Sequence, residues 1–381
     1  MKKLLYVFPE LAIGGAERVA IMLADELSYR YNYSISFLFF NSSEKFFQFN
    51  HKTIIYKNRL NINNSIKKII SNIILKPLFL YKHIRKNDYD FIISGYEYDA
   101  EKYLIIIKPL LVFSSVKMIS GLHASLRGRK DILSIRSKYI YSLIDLLRIL
   151  VFDRIILVSE FLRKEIIYKS SPKYIVINNP ICKEIDMLRN ENLPVSLIHE
   201  FERKKFILSI SRIAPQKNLK FLINAFLRIK DKIDLDLIII GSFSDRKLVN
   251  ELNEYIENNQ MINRIMILAP INNIYPLINL STLVAVTSLY EGLSLAILEA
   301  MHLRKIIVST PFTGHEDILN NANCFLSQDY DEQKYSELLL KASLEDEEVK
   351  KRVEQAFLDS NKYKVEIIAD AYHQFYAKQF K

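Results

Sequence analysis

The chain has 381 residues, half of them hydrophobic and a quarter charged, with a formal net charge of +10. That length exceeds the roughly 250 to 300 residues at which a single core stops growing, so two domains are expected. The composition is that of a globular protein, with no low-complexity segment and no repeat at solenoid periods.

The opening run MKKLLYVFPELAIGGAE imitates a secretion signal, but Pro9 and Glu10 end the apolar stretch too early. The longest apolar segment, 139 to 158, is interrupted by Asp145, Arg148, Asp153 and Arg154, so no transmembrane helix is expected. Cys182 and Cys324 are far apart and lack ligand-spaced partners, which excludes a disulfide framework or a zinc site and fits a reducing, cytoplasmic location.

In chain order, β-rich apolar runs fall at 4 to 8, 35 to 40, 91 to 95, 116 to 121 and 154 to 159. They recur at 206 to 211, 235 to 242, 264 to 268, 283 to 288 and 305 to 310. Longer helical stretches separate them, which predicts parallel sheets covered on both faces. The fold class is therefore α/β, two Rossmann-like doubly wound domains. The polar, proline-bearing stretch 174 to 197 reads as the hinge. The expected division is 1–185, 186–362 and a C-terminal helix at 363–381 packing back on the N-terminal domain.

The charge is uneven. Through residue 190 there are 30 Lys and Arg against 17 Asp and Glu, and beyond it 23 against 26, giving +13 and −3. The densest basic stretch, 58 to 87, mixes lysines with large apolar residues. It reads either as an interfacial helix on an anionic membrane or as the solvated face of a packed helix. No nucleic-acid motif accompanies the charge, so nucleic acid is not an expected partner.

In open α/β sheets ligands bind beyond the carboxyl ends of the strands, so candidate residues are sought there. After the strand at 283 to 288 comes LYEG and a helix expected from Leu293 to Leu303. Glu291 lies in the turn and Glu299 about two turns on, roughly 12 Å away at ~1.5 Å per residue. Between them, the amides of Gly292, Leu293, Ser294 and Leu295 are expected to crown the helix N-terminus, which attracts anions and oxygen-rich ligands. Two such acids can take hydroxyl pairs from the two ends of one elongated ligand, or serve as a cap and a buried ion pair.

SRIAPQKN (211 to 218) places Arg212 and Lys217 in a loop after a strand, a pair that suits a diphosphate. Gly14 and Gly15 open a helix after the first strand, where backbone can approach a ligand, yet they lack the G-x-G-x-x-G of a dinucleotide site. Asp234 and Asp236 form a D-x-D, but it precedes its strand and reads as a solvated strand entry, so no metal is expected.

GGAERVA (14 to 20), SEF (159 to 161), INNP (177 to 180), SRIAPQKN, GS (241 to 242), SLYEGLSLAILEAM (288 to 301) and TGHEDIL (313 to 319) together resemble the retaining glycosyltransferases of the GT-B fold. The resemblance is to the large family four of bacterial polysaccharide and lipopolysaccharide synthesis, the glycosyl transferases group 1, and runs through nearly the whole chain.

The resemblance implies two Rossmann-like domains facing a central cleft, and transfer from a nucleotide-diphosphate sugar, a UDP-sugar by preference, to a lipid-linked or oligosaccharide acceptor. It implies that Arg212 and Lys217 neutralise the diphosphate, with no cofactor and no metal, and that Glu299 takes the ribose hydroxyls. Glu291 and the amides of Gly292 to Leu295 would hold the transferred sugar. Gly14, Gly15 and Gly241 would line the donor, and His123, just after a strand, would lie near the reaction centre. A peripheral position on the cytoplasmic face of the inner membrane follows, with oligomeric state left open. EGLS stands where the family has EGFG, Arg304 and Ile306 replace a glycine and a proline, and the late glycine-rich turn is reduced to NNANC (320 to 324). These departures bear on donor-sugar identity more than on reaction class. A sugar-nucleotide epimerase and a non-catalytic nucleotide-sugar-binding partner of a membrane assembly complex are the alternatives.

Overall fold

The structure, a computed structural model, describes residues 1–10, 14–41, 50–56, 70–95, 100–123, 143, 146–166, 169–193, 201, 204–344 and 346–379. The chain divides into two compact units, Met1–Pro180 with Val365–Lys381, and Ile181–Lys364.

The first unit is built on a sheet of seven parallel strands, β1 (Lys3–Phe8), β2 (Ser34–Phe39), β3 (Lys52–Ile55), β4 (Phe91–Ser94), β5 (Lys117–Leu122), β6 (Arg154–Leu157) and β7 (Tyr174–Val176). They are ordered β3-β2-β1-β4-β5-β6-β7, so chain direction across the sheet reverses between β1 and β4. The central strands are buried on both faces, which is why their sequences are apolar without alternation. Phe8, Phe37 and Phe39 stack across β1 and β2.

Helix α1 (Gly15–Tyr31) buries Val19, Ala20, Leu23, Ala24 and Leu27, one stripe at helical spacing, and ends where Asn32 takes a left-handed φ of 55°. Helices α2 (Lys76–Lys86) and α3 (Glu101–Ile107) follow. Of the basic stretch 58 to 87, residues 58 to 69 lie outside the described residues.

The second unit repeats the plan with six parallel strands: β8 (Phe206–Ile210), β9 (Asp236–Ile240), β10 (Ile265–Leu268), β11 (Leu283–Val286), β12 (Ile306–Ser309) and β13 (Phe325–Leu326). Their order is β10-β9-β8-β11-β12-β13, and the reversal falls between β8 and β11. Helices α4 (Leu219–Leu227), α5 (Arg246–Asn258), α6 (Tyr275–Leu280) and α7 (Leu295–His302) are among those that connect or flank them.

The last helix, α8 (Val365–Lys378), belongs to the first unit. Its buried Val365, Ile368, Ala369, Tyr372 and Tyr376 recur at helical spacing. Arg30 pairs with Asp370 at 2.6 Å, and Tyr33 is hydrogen-bonded to His373 at 3.2 Å.

The units part after Pro180 and after Lys364, rather than at 185/186 and 362/363. The reason is local: Ile181 donates its N–H to the Tyr363 carbonyl at 2.7 Å and bridges to Lys364, which ties both chain crossings to the second unit. The stretch read as hinge thus begins as an ordered edge strand, β7.

Candidate functional site

The strand order of the second unit fixes where a ligand can lie. At the reversal between β8 and β11, neighbouring connections leave in opposite directions and open a crevice beyond the carboxyl ends of those strands. The loop after β8 carries Arg212 and Lys217, and the turn after β11 carries Glu291.

Lys217 Nζ donates directly to Glu291 Oε1, and the Ser288 hydroxyl donates to the same oxygen at 2.6 Å. The side chains of Lys217 and Glu291 are only 12 % and 11 % exposed. Three further hydrogen bonds hold the two loops together: Leu289 donates its N–H to the Gln216 carbonyl at 2.8 Å, Gln216 Nε2 to the Tyr290 carbonyl at 2.6 Å, and the Thr287 hydroxyl to the Lys217 carbonyl at 2.9 Å. The Tyr330 hydroxyl, whose pKa burial pushes up, donates to the Ser288 carbonyl at 3.0 Å.

Lys217 and Glu291 line one hollow with Ser209, Ser211, Ser288 and Ser294. The Ser211 hydroxyl is buried there with no hydrogen-bond partner among the described residues. Such an orphaned group is expensive unless something satisfies it. Arg212 and Glu299 do not line this hollow. Arg212 is exposed and makes no hydrogen bond or ion pair among the described residues. Glu299, the most deeply buried of the four charged residues, is 1 % exposed and accepts from the Tyr275 hydroxyl at 3.1 Å.

The helix begins later than expected, at Leu295 with Ser294 as its N-cap, so Gly292 and Leu293 belong to the preceding turn. The amides at the helix end are therefore those of Leu295 to Ile297. The Ser294 side chain makes no capping bond to them. Gly241 has a packing reason to be glycine: a Cβ there would lie 1.9 Å from the Ser211 carbonyl oxygen. Its bare backbone lets the loop bearing Arg212 cross the end of β9.

In the first unit His123 follows β5 and shares a hollow with Ala16, Val19, Ser94 and Gly121. The start of α1 and the end of β5 are thus brought together. Gly14 caps α1 with extended φ and ψ, and a Cβ on it would meet the Glu17 carboxylate at 2.2 Å. The acid three residues on folds back over the helix end, a contact the glycine pair alone does not announce.

Two residues differ from the sequence reading or escape it. Asp236 is 8 % exposed rather than solvated, paired with Arg264 at 2.9 Å and Lys204 at 3.3 Å, because Arg264 arrives from 28 residues further on. Tyr275 carries no motif and is found only by its contact with Glu299. Burial raises the Cys182 thiol to about 11. Among the described residues no group of three or more His, Cys, Asp or Glu side chains is arranged to hold a metal.

The family model described as Glycosyl transferases group 1 matches residues 197–358. That match lies wholly within the second unit. Among curated relatives, a glycosyltransferase of Methanocaldococcus jannaschii, described as uncharacterized and named MJ1059, is 32 % identical over 145 residues, 37 % of this chain and 35 % of that protein. An N-acetylgalactosamine-N,N'-diacetylbacillosaminyl-diphospho-undecaprenol 4-alpha-N-acetylgalactosaminyltransferase of Campylobacter jejuni is 28 % identical over 175 residues, 44 % of this chain and 47 % of its own. The chain thus spans between a third and a half of the length of these relatives. Among solved structures, Anabaena Alr3699/HepE in complex with UDP-glucose superposes with a TM-score of 0.81 at 18 % identity, covering 99 % of this chain and 100 % of that one. Sucrose-phosphate synthase from Thermosynechococcus elongatus gives 0.81 at 12 % identity, covering 100 % and 99 %. The fold is GT-B, two parallel-sheet α/β domains.

Proposed function

We propose that the protein is a retaining glycosyltransferase that moves a sugar from a nucleotide-diphosphate sugar, by preference a UDP-sugar, to a lipid-linked or oligosaccharide acceptor in surface-polysaccharide synthesis. The observation that carries the reading is the joined Lys217 and Glu291 beyond β8 and β11, inside the matched domain, beside the unsatisfied Ser211 hydroxyl. Similar solved structures are complexes with UDP or UDP-glucose, and one curated relative is named for a diphospho-undecaprenol acceptor, which supports the donor and acceptor classes.

An ammonium has three donor protons, so Lys217 can keep Glu291 and still meet a phosphate oxygen. Arg212, exposed and with no partner to give up among the described residues, would fork onto the same diphosphate. The bond from the anomeric carbon to the diphosphate oxygen breaks as the acceptor oxygen bonds on the same face, and the acceptor proton passes to the departing diphosphate. Charge growing on that leaving group is met by the two cations, and electrostatic stabilisation of this kind is usually the largest catalytic contribution. Glu291 and the amides following Ser294 would hold the transferred sugar, and Glu299 the ribose. His123, by its position after β5, is assigned a place beside the reacting sugar, and Gly14 and Gly15 a place at the donor phosphates or acceptor.

The test is a thermal-shift panel of nucleoside diphosphates and nucleotide sugars, followed by transfer assays with proton NMR of the product's anomeric centre. UDP and one UDP-sugar should raise the melting temperature, since a ligand bound only by the native state stabilises it. Conversion of the nucleotide sugar with no acceptor present would assign an epimerase instead, and binding without sugar release a non-catalytic partner.

A further inference from the structure

We propose that two side-chain hydroxyls of the second unit, those of Ser211 and Ser294, are ligand contacts that divide the donor between them, Ser211 meeting the diphosphate and Ser294 the transferred sugar. Both roles rest on the nucleotide-sugar reading of this hollow, and they add a requirement on the sugar itself.

The hollow beyond β8 and β11 has serines on both walls. Ser209 and Ser211 stand two residues apart at the end of β8, so strand alternation turns both to one face, while Ser288 and Ser294 come from the connection between β11 and α7. The Ser288 hydroxyl is already engaged, since it donates to Glu291 Oε1, the oxygen that also accepts from Lys217 Nζ. Glu291 Oε2 accepts no hydrogen bond from a described residue, so one oxygen of that carboxylate is left to a ligand.

The Ser211 hydroxyl is shut off from bulk water and has no hydrogen-bond partner among the described residues. A buried hydroxyl in that state destabilises the folded chain, and it is satisfied only by a group that enters from outside. With Lys217 balancing Glu291 and Arg212 the next residue along, the surroundings carry a net positive charge. An anion is therefore the group that enters, and the hydroxyl has the one proton it needs to donate to a phosphate oxygen.

Ser294 sits on the other wall as the N-cap of α7, the position at which a serine side chain commonly accepts from the amide two or three residues on. Here it makes no such bond, nor any other to a described residue. The glycosyltransferases that the chain resembles carry glycine at this point of the motif, so the hydroxyl is an addition of this chain. Neighbouring groups are one-sided: the Leu295 to Ile297 amides only donate and Glu291 only accepts, whereas a hydroxyl does both. A sugar held there must present a hydroxyl or acetamido group to Ser294, and a deoxy position would leave the serine unpaired.

The full chain is titrated calorimetrically with UDP and with whichever of UDP-glucose, UDP-galactose, UDP-N-acetylglucosamine and UDP-N-acetylgalactosamine raises its melting temperature most. Ser211→Ala should melt about 2 °C above the parent, because it deletes a hydroxyl that the protein leaves unsatisfied, yet bind UDP about tenfold more weakly. Ser294→Ala should melt with the parent and lose about fivefold in affinity for the UDP-sugar relative to UDP. One monodeoxy analogue of that sugar should bind the parent more weakly and Ser294→Ala no worse than the intact sugar does, since two deletions of one hydrogen bond are not additive. A Ser211→Ala protein that melts lower and binds UDP like the parent would mean a hydroxyl satisfied by buried water. A Ser294→Ala protein that melts lower and keeps the parent's ratio of UDP-sugar to UDP affinity would mean an ordinary helix cap. Either result overturns the proposal while leaving the donor reading in place, whereas a parent that binds neither UDP nor any of the four sugars removes both.

Discussion

The hydroxyl of Tyr275 donates to Glu299 Oε1 at 3.1 Å, joining the first residue of α6 to the middle of α7 with both side chains buried. A carboxylate held this way has its rotamer chosen before any ligand arrives. Tyr275→Phe keeps the ring and deletes the bond, so it should destabilise the fold by about 1 kcal/mol. If Glu299 holds the ribose, nucleotide affinity should fall about fivefold while turnover at saturation stays nearly unchanged. Urea unfolding and calorimetric titration with UDP check the two halves, and an unaltered affinity would leave Tyr275 with packing as its only role.

Lys217 and Glu291 form a second pair whose members depend on each other. Each is largely buried, so removing one strands the other's charge, at a penalty of about 3 kcal/mol. Lys217→Met and Glu291→Gln should each lower stability. The double variant should be less destabilised than the sum of the two, with a coupling of about 1 kcal/mol or more. All three proteins should lose sugar transfer. Additive effects on stability in chemical denaturation would show that the two side chains do not act as a pair in solution.

Arg212 presents the opposite case, exposed and without an ion-pair partner among the described residues. Arg212→Ala should therefore leave stability within about 0.5 kcal/mol of the parent. A guanidinium that forks onto a diphosphate would nonetheless be missed: affinity for UDP should drop by about tenfold or more, and that for uridine hardly at all. Parallel titrations with UDP and uridine separate a phosphate contact from a general loss of fit.

Much of this architecture is legible in the sequence because parallel strands covered on both faces leave uninterrupted apolar runs, as in LIII of β9 and IIVS of β12. The strands that escape such a reading, β3, β7 and β13, are short pieces at the sheet edges with partly exposed residues. Arg212, Lys217 and Glu291 are legible because they follow strand ends. Asp236 and Tyr275 are not, since their partners Arg264 and Glu299 stand 28 and 24 residues away and meet them only through packing. The fold of Glu17 over Gly14 is likewise a tertiary choice that a glycine pair leaves open.

Gly241 links packing to the site. A Cβ on it would lie 1.9 Å from the Ser211 carbonyl oxygen, 2.6 Å from its carbon and 3.3 Å from the Arg212 nitrogen. Those atoms cannot swing away freely, because Ser211 N–H is bonded to the Ile240 carbonyl at 3.0 Å and Ile213 N–H to the Ser242 carbonyl at 2.9 Å. Gly241→Ala must push the backbone at 211 to 213 outward, breaking or stretching those bonds, at about 2 to 3 kcal/mol. Arg212 rides on that backbone, so UDP affinity should fall although the added methyl meets only protein. If the loss runs through the displaced guanidinium, adding Arg212→Ala to Gly241→Ala should weaken binding little further, since two changes acting through one group are not additive. Full additivity of the two affinity losses would mean that the glycine acts on the ligand by some route other than Arg212.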